Sequence, residues 1–548
     1  MIAPILIALA LQAAVTSAAP SLEARAAPTI TVSGGTFVGA TSGTVQQFYG
    51  IPFAEPPVGN LRFRLPKGIT SYNGTIDATN YGPSCPQQAV SLPIVQGLAA
   101  EAIDYLVNSI FGQVFPDSED CLTLNVVKPA SATASSKLPV LVWIFGGGFE
   151  LGSPSMYDGS AHVTKSQKMG QPVIFVSMNY RLNGLGFLAS KEVRAAGVGN
   201  LGLHDQREAL RWIKRNIAQF GGDPSKVTIW GESAGAISAA LQMTAFDGNS
   251  EGLFRGAFMQ SGAAIPVGPV ENGQGYYDSI VKITGCSNAQ DTLDCLRGVP
   301  YDKIKAAIDT TPSIFAYQSL RLAWLPRADG IFLTENPMDL VQKGKVANIP
   351  YIMGNCDDEG TLFSLSTLNV TTDTQFRGWI KNAFLPGLTD SQVNTIASNY
   401  PATLSEGSPF NTGLLNALTP QFKRIAAFQG DGVFQAPRRW FMRNTVGKQK
   451  VWAFMSRRLK ALPVLGSAHA TDLLNSFFLG QEMQEYLIRF TNNLDPNSLL
   501  SFTWPEYNLD TKRLLVFKDG ILPLETDKDD HREAAMDALN QITLVNPV

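Results

Sequence analysis

The sequence predicts an α/β fold: a large, mostly parallel mixed sheet flanked by helices on both faces. Three observations lead there. The 548 residues are 45% apolar and only 16% charged, with 49 Gly and 33 Pro spread along the chain. That composition supplies a large core and excludes intrinsic disorder and coiled coil. Short runs rich in Val, Ile, Leu and Phe recur at 140–145, 173–178, 227–230, 256–260, 351–353, 451–455 and 514–517, bounded by Gly, Pro or Asn. Most are continuously apolar, as strands buried on both faces are. Helical patterns lie between several of them, an alternation that covers a sheet on both sides. No internal repeat, low-complexity tract or linker interrupts the chain, so residues 27–548 are expected to form a single domain. The balance of 43 Lys and Arg against 46 Asp and Glu, net −3, offers no basic field for a nucleic acid, and none is expected as a partner.

Residues 2–15 form an apolar run followed by the small residues Thr16, Ser17, Ala18 and Ala19. This reads as a secretory signal peptide ending near residue 18, with a short propeptide to about residue 26. No later stretch holds about twenty uninterrupted apolar residues, so no transmembrane segment is expected. Secretion implies an oxidising compartment, where disulfides are the default for the five cysteines. Cys286 and Cys295 form the short pair, Cys85 and Cys121 enclose a longer loop, and Cys356 is left over. No Cys and His cluster has zinc spacing, so neither a metal nor a cofactor is expected. Asn73-Gly-Thr and Asn369-Val-Thr are N-glycosylation sequons, which would place both asparagines on the surface.

Between Cys85 and Cys121, the residues Leu98, Ala102, Ile103, Leu106, Val107 and Ile110 recur at helical spacing, with Glu101, Asp104 and Asn108 among them. This 86–120 loop is either an ordinary surface helix or an amphipathic cover over a site that turns toward a lipid surface. Further on, Gly197-Val198-Gly199-Asn200-Leu201-Gly202 fits G-x-G-x-x-G. The fingerprint needs a strand before it, however, and residues 189–196 are polar and helix-like, so no dinucleotide site is expected. A helix is predicted over 206–220, opened by Asp205 with Glu208 as a capping-box variant and closed by Gly221-Gly222-Asp223-Pro224.

Gly231-Glu232-Ser233-Ala234-Gly235 follows the run ending at Trp230 and precedes an Ala-rich helical run, 236–245. That is G-x-S-x-G in its required context: a strand reverses sharply into a helix and leaves the serine hydroxyl exposed at a strained backbone position. A nucleophilic serine needs donors for the oxyanion it creates. The glycines of Phe145-Gly146-Gly147-Gly148-Phe149 end the strand 140–145, and the N–H groups of Gly147 and Gly148, with that of Ala234, can form an oxyanion hole. The serine also needs a base. Of the four histidines, His162 and His204 precede it and have ordinary structural readings. His469 sits in the small-residue loop Gly466-Ser467-Ala468-His469-Ala470, and His531 in a charged run read as solvated surface. Asp357, Asp358 and Glu359 offer three carboxylates at one strand end, and spacing does not choose among them.

The chain resembles the type-B carboxylesterase/lipase family, and within it the secreted fungal lipases of the Candida rugosa and Geotrichum type. The matching words are Phe53-Ala54-Glu55-Pro56-Pro57-Val58-Gly59, Glu119-Asp120-Cys121-Leu122-Thr123-Leu124-Asn125, Gly146-Gly147-Gly148-Phe149, Phe220-Gly221-Gly222-Asp223-Pro224, the serine word, Asp358-Glu359-Gly360-Thr361 and Trp504-Pro505-Glu506-Tyr507. They span nearly the whole mature chain. The resemblance implies an α/β-hydrolase with Glu359 as acid, His469 as base, disulfides Cys85–Cys121 and Cys286–Cys295, and a lid in the 86–120 loop. Ala236 departs from relatives that carry serine there, which removes a hydroxyl near the acid. The expected activity is that of a secreted triacylglycerol lipase working through an acyl-enzyme on Ser233. A carboxylesterase or sterol esterase with the same triad is the alternative, and a non-catalytic binding protein on this fold the more distant one.

Overall fold

The computed structural model describes residues 27–95, 98–478 and 482–548. The expected signal peptide and propeptide lie outside these residues. The central feature is an eleven-stranded sheet. Its strands are β1 (Ala40–Ser42), β2 (Val45–Pro52), β3 (Thr123–Pro129), β4 (Leu138–Ile144), β5 (Ile174–Met178), β6 (Gly222–Glu232), β7 (Gly256–Gln260), β8 (Tyr351–Cys356), β9 (Val451–Arg457), β10 (Arg513–Lys518) and β11 (Leu524–Lys528). The spatial order is β11-β10-β9-β8-β7-β6-β4-β5-β3-β2-β1. Every pairing from β10 across to β5 is parallel, and the strands beyond each end are antiparallel. The seven apolar runs of the sequence are the seven parallel strands. They are buried on both faces because helices cover both, which is why their apolar residues are continuous rather than alternating.

The antiparallel strand β3 escaped the sequence reading because it buries polar residues that only tertiary partners satisfy. Asn125 accepts from the N–H of Gly50 at 3.0 Å and donates to Ser177 at 3.1 Å, while the Lys128 ammonium donates to Gln46 at 3.0 Å and to the Ala132 carbonyl at 2.7 Å. A separate three-stranded sheet pairs Gly35–Val38 with Thr29–Val32 and with Thr75–Asp77.

Three helices position or border the site: α1 (Ala100–Asn108), α2 (Leu201–Asn216) and α3 (Ala234–Gly248). The expected start of α2 is corrected. It begins at Leu201, and Asp205 is an interior residue whose carboxylate accepts from Arg181 Nε at 2.8 Å and Nη2 at 2.7 Å; Glu208 pairs with Arg215 at 2.8 Å. A bidentate arginine in a dry interior outcompetes the weaker capping bond that Asp205 was expected to make. The G-x-G-x-x-G segment follows the short helix Lys191–Ala196 rather than a strand, and Gly197 closes that helix in the left-handed conformation.

Both bridges form, Cys85–Cys121 at 2.00 Å and Cys286–Cys295 at 2.08 Å, and Cys356 is buried and unbridged. Asn73 and Asn369 are exposed. His162 packs among Phe175, Trp230 and Phe477, and His204 against Phe246 and Phe332, so both are core residues. His531 is not a solvated surface residue as expected. It is partly buried, with Nδ1 3.1 Å from Arg439, because the adjacent Asp529 is drawn fully inside by Arg438 and Arg439 at 2.7 and 2.8 Å. Among the described residues no helix is long and apolar enough to cross a membrane.

Candidate active site

The C-terminal ends of four parallel strands, β4, β6, β8 and β9, lead into the loops that build the site, the general location for sites on such sheets. Ser233 follows β6 directly and precedes α3, with φ 55° and ψ −127°, a conformation L-residues seldom adopt. The turn requires its two glycines for lack of space. A Cβ at Gly231 would stand 2.3 Å from the carbonyl carbon of Gly235, and one at Gly235 would stand 2.0 Å from the Ile144 oxygen. The Ser233 N–H donates to the Gln260 carbonyl at 2.9 Å, tying the turn to the neighbouring strand β7.

His469 reaches the serine from the loop after β9. Its Nε2 lies 2.8 Å from Ser233 Oγ and its Nδ1 lies 2.6 Å from Glu359 Oε2. Glu359 Oε1 in turn accepts from the N–H of Cys356 at 2.8 Å and from Asn355 Nδ2 at 3.2 Å. The rings of Phe434 and Phe363 flank the imidazole, with centroids 4.5 and 5.2 Å away. The structure thus brings together Ser233, His469 and Glu359 and leaves Asp357 and Asp358 pointing elsewhere. Burial works against a charge on His469, but the Glu232 and Glu359 carboxylates outweigh it, and the imidazole pKa is raised above its ordinary 6.5.

Ala234 is the first residue of α3, so its N–H has no partner within the helix. Gly147 and Gly148 turn with φ 110° and 65°, and Gly147 lines the same cavity as Ser233. That cavity measures about 660 Å³, and Leu362, Leu459, Leu462, Leu473 and Leu474 contribute apolar walls. Among the described residues no group of His, Cys, Asp and Glu side chains is arranged to hold a metal ion.

Known proteins share both the sequence pattern and the scaffold. The carboxylesterase family model matches residues 26–530. The chain belongs to that family. Its carboxylesterase-family relatives include lipase 4 of Diutina rugosa, 46% identical over 94% of this chain and 96% of the relative, and a secreted triacylglycerol lipase of Gibberella zeae, 43% identical over 92% and 89%. Among solved structures, EstA of Aspergillus niger superposes with a TM-score of 0.80 at 30% identity, over 95% of this chain and 99% of EstA.

Several residues of this carboxylesterase-family site were not singled out in the sequence. Glu232, inside the serine word, puts Oε1 3.3 Å from His469 Nε2 without completing a hydrogen bond, and burial pushes its carboxyl up to about 8. Asp472, three residues after His469, has neither oxygen hydrogen-bonded, although Gln260 and the Cys356 thiol lie nearby, and burial pushes it up to about 6. Their adjacency to Ser233 and His469 was the available signal. Glu150, just beyond the glycine turn, keeps one oxygen on the N–H of Ile314 at 2.8 Å, and burial pushes it up to about 8.

The 86–120 segment turns most of its apolar stripe to the protein body, as the surface-helix alternative has it, while Ile110 also lines the cavity. Leu98, Ala102 and Leu106 are buried, and Ile103 and Ile110 partly so, against the protein body. The residues of α1 that line the cavity are Ala100, Glu101, Asp104, Tyr105 and Asn108. The Tyr105 hydroxyl donates to the main-chain carbonyl of His469 at 2.5 Å. The stripe finds apolar partners on the body, and Phe111, which follows it and also lines the cavity, packs against Phe315.

Proposed function

We propose that this chain is a secreted serine ester hydrolase that cleaves lipophilic carboxylic esters, triacylglycerols foremost, through an acyl-enzyme on Ser233. One observation carries this reading. A hydroxyl at the tip of a strained turn lies 2.8 Å from an imidazole whose far nitrogen lies 2.6 Å from a buried carboxylate, all at the floor of a largely apolar cavity of about 660 Å³. His469 Nε2 takes the Ser233 proton as Oγ attacks the acyl carbon. Glu359 holds the proton on Nδ1 and stabilises the imidazolium that forms. The N–H groups of Gly147, Gly148 and Ala234 donate to the oxyanion. The alcohol leaves with the proton from Nε2. Water, deprotonated by His469, then releases the carboxylic acid and restores Ser233. Removing one oxyanion donor costs such enzymes about 10²- to 10³-fold in rate.

Relatives named as lipases, two of them named as secreted, support both the substrate class and an extracellular location. Residues 27–548 then act as one catalytic domain, and the exposed Asn73 and Asn369 are the glycosylation sites. Ile94, Val107 and Val114 are exposed on the 86–120 segment, the last at 94%, and these are the side chains we assign to contact with a lipid surface.

Labelling with a long-chain organophosphonate, followed by mass spectrometry, tests the assignment. Stoichiometric modification of the wild type and none of Ser233→Ala is expected, and labelling elsewhere overturns it. Hydrolysis of glyceryl esters across their solubility limit tests the substrate class. A rate rise on emulsion is expected, and simple saturation on dissolved short esters alone points to a carboxylesterase instead.

A further inference from the structure

Of the three carboxylates that close β8, one acts on His469 directly and its neighbour grips the loop that carries His469. Asp358 is fully buried, and four donors converge on it. Oδ1 accepts from the N–H of Phe410 at 2.8 Å and from the Ser408 hydroxyl at 3.0 Å. Oδ2 accepts from the N–H of Ser467 at 2.8 Å and from the Lys460 ammonium at 2.7 Å, which also reaches Asp357 at 2.6 Å. The main chains join at the same point. The Asp358 N–H donates to the Ser467 carbonyl at 3.0 Å, and the Thr361 hydroxyl lies 2.9 Å from the Asp358 carbonyl and 2.7 Å from that of Leu465. The residue immediately before Glu359 is therefore fastened to the residue two before His469, with no slack between the loops.

We propose that Asp358 is a positioning residue that sets the Glu359 loop against the His469 loop and thereby holds the imidazole in line with Ser233. This rests on the assignment of Ser233, His469 and Glu359 as the catalytic triad. An ionised carboxylate suits the task because it accepts in all four directions at once. Asparagine fills the same volume but replaces one oxygen with an NH₂ group. Either orientation then sets donor against donor, toward Ser467 and Lys460 or toward Phe410 and Ser408. A displacement of about 1 Å at a reacting group can cost on the order of 10²-fold in rate.

The groups facing His469 are Glu359 on Nδ1, Glu232 on Nε2, Asp472 on its own loop, and Tyr105 at its main-chain carbonyl. If Asp358 is lost, the His469 loop shifts, and the Glu359 contact slackens together with the alignment on Ser233. The imidazolium loses support, and the acid limb of the pH profile of kcat/KM moves to lower pH.

The test is Asp358→Asn, with active sites counted by phosphonate titration and stability followed by thermal melting. Per titrated site, kcat is expected to fall about tenfold to a hundredfold, with KM nearly unchanged and the acid limb displaced downward. Two further variants approach the clamp from other sides. Gly466→Ala puts a Cβ 2.4 Å from Asp358 Oδ2 and should reproduce the effect with the carboxylate intact. Lys460→Met removes one of four donors at a partly exposed position and should show the same signature at smaller amplitude, about two- to fivefold. A lower melting temperature with unchanged per-site kcat and unchanged acid limb in these variants overturns the proposal and leaves Asp358 a stability residue only. Phosphonate labelling that survives Ser233→Ala would instead overturn the underlying triad, independently of Asp358.

Discussion

Two sets of buried carboxylates lie at the strand ends and loops that build the site, equal in burial and opposite in company. Asp358 and Glu359 are 0% and 1% exposed; Glu150, Glu232 and Asp472 are 0%, 3% and 0%. On the β8 side donors converge on every oxygen: four on Asp358, and for Glu359 a backbone N–H, an asparagine amide and the imidazole. On the other side Glu150 Oε1, Glu232 Oε1 and both Asp472 oxygens have no hydrogen-bond partner. Burial drives a carboxyl toward its neutral form on both sides: it raises Asp358 in spite of the Lys460 ammonium, and it pushes Glu150 and Glu232 up to about 8 and Asp472 to about 6. The contrast teaches that supplied donors, rather than depth, decide which buried acid is held in a fixed geometry.

The most severe way to break this contrast is to neutralise the donor-rich side. Glu359→Gln keeps the volume but favours the wrong imidazole tautomer, and kcat should fall about 10³- to 10⁴-fold with the fold intact. Steady-state kinetics on active-site-titrated protein measure this, and a loss under tenfold would show that the two sides do not differ in function.

The donor-poor side makes the opposite prediction, for stability. Glu150 is protonated in the folded chain up to about pH 8 but ionises near 4.5 when unfolded. Between those values the folded state binds the extra proton, so stability falls as pH rises from about 4.5 toward 8. Glu150→Gln removes that slope. It should gain several kcal/mol at pH 8, read from urea midpoints, and nothing at pH 4. An equal effect at both pH values would mean that Glu150 has a hidden donor.

Two milder changes sharpen the comparison by acting on the 86–120 segment rather than on a carboxylate. Replacing both Cys85 and Cys121 by serine opens a loop with a sequence separation of 36 residues. It should cost about 2–4 kcal/mol of stability in thermal or urea unfolding, without shifting the pH profile; a shifted profile would mean that the bridge also orders His469. Tyr105→Phe removes the hydroxyl that α1 lends to the His469 carbonyl. A loss of about 1 kcal/mol should speed proteolytic nicking of the 98–113 segment about fivefold. Unchanged nicking would show that apolar packing alone holds α1.

Much of this was legible in one dimension. The parallel strands announced themselves as continuous apolar runs, because a strand covered on both faces has no polar side to display. The serine turn was legible because G-x-S-x-G is a local steric requirement, and Gly231 and Gly235 are where any side chain would collide. β3 was not, since Asn125 and Lys128 look like surface until their distant partners are seen. Asp205 and Glu208 misled for the same reason, being claimed by Arg181 and Arg215 rather than by the helix start. The orientation of the 86–120 stripe was illegible too. Helical spacing shows that one face is apolar but not which of two apolar surroundings it meets.

The chain by itself determined the elements and the residue types of the site: where strands end, where the hydroxyl must project, and which few histidines and acids follow it. These rest on backbone sterics and hydrophobic periodicity, which act over a few neighbouring residues. Only the tertiary structure decided how the carboxylates at the end of β8 divide, with Glu359 on the imidazole, Asp358 gripping the next loop and Asp357 left to Lys460. It also decided that Glu150, Glu232 and Asp472 lie buried without a full set of donors. Hydrogen bonding and desolvation depend on what lies within a few ångströms in space, and those neighbours include Lys460, Ser467 and His469, a hundred or more residues further along the chain.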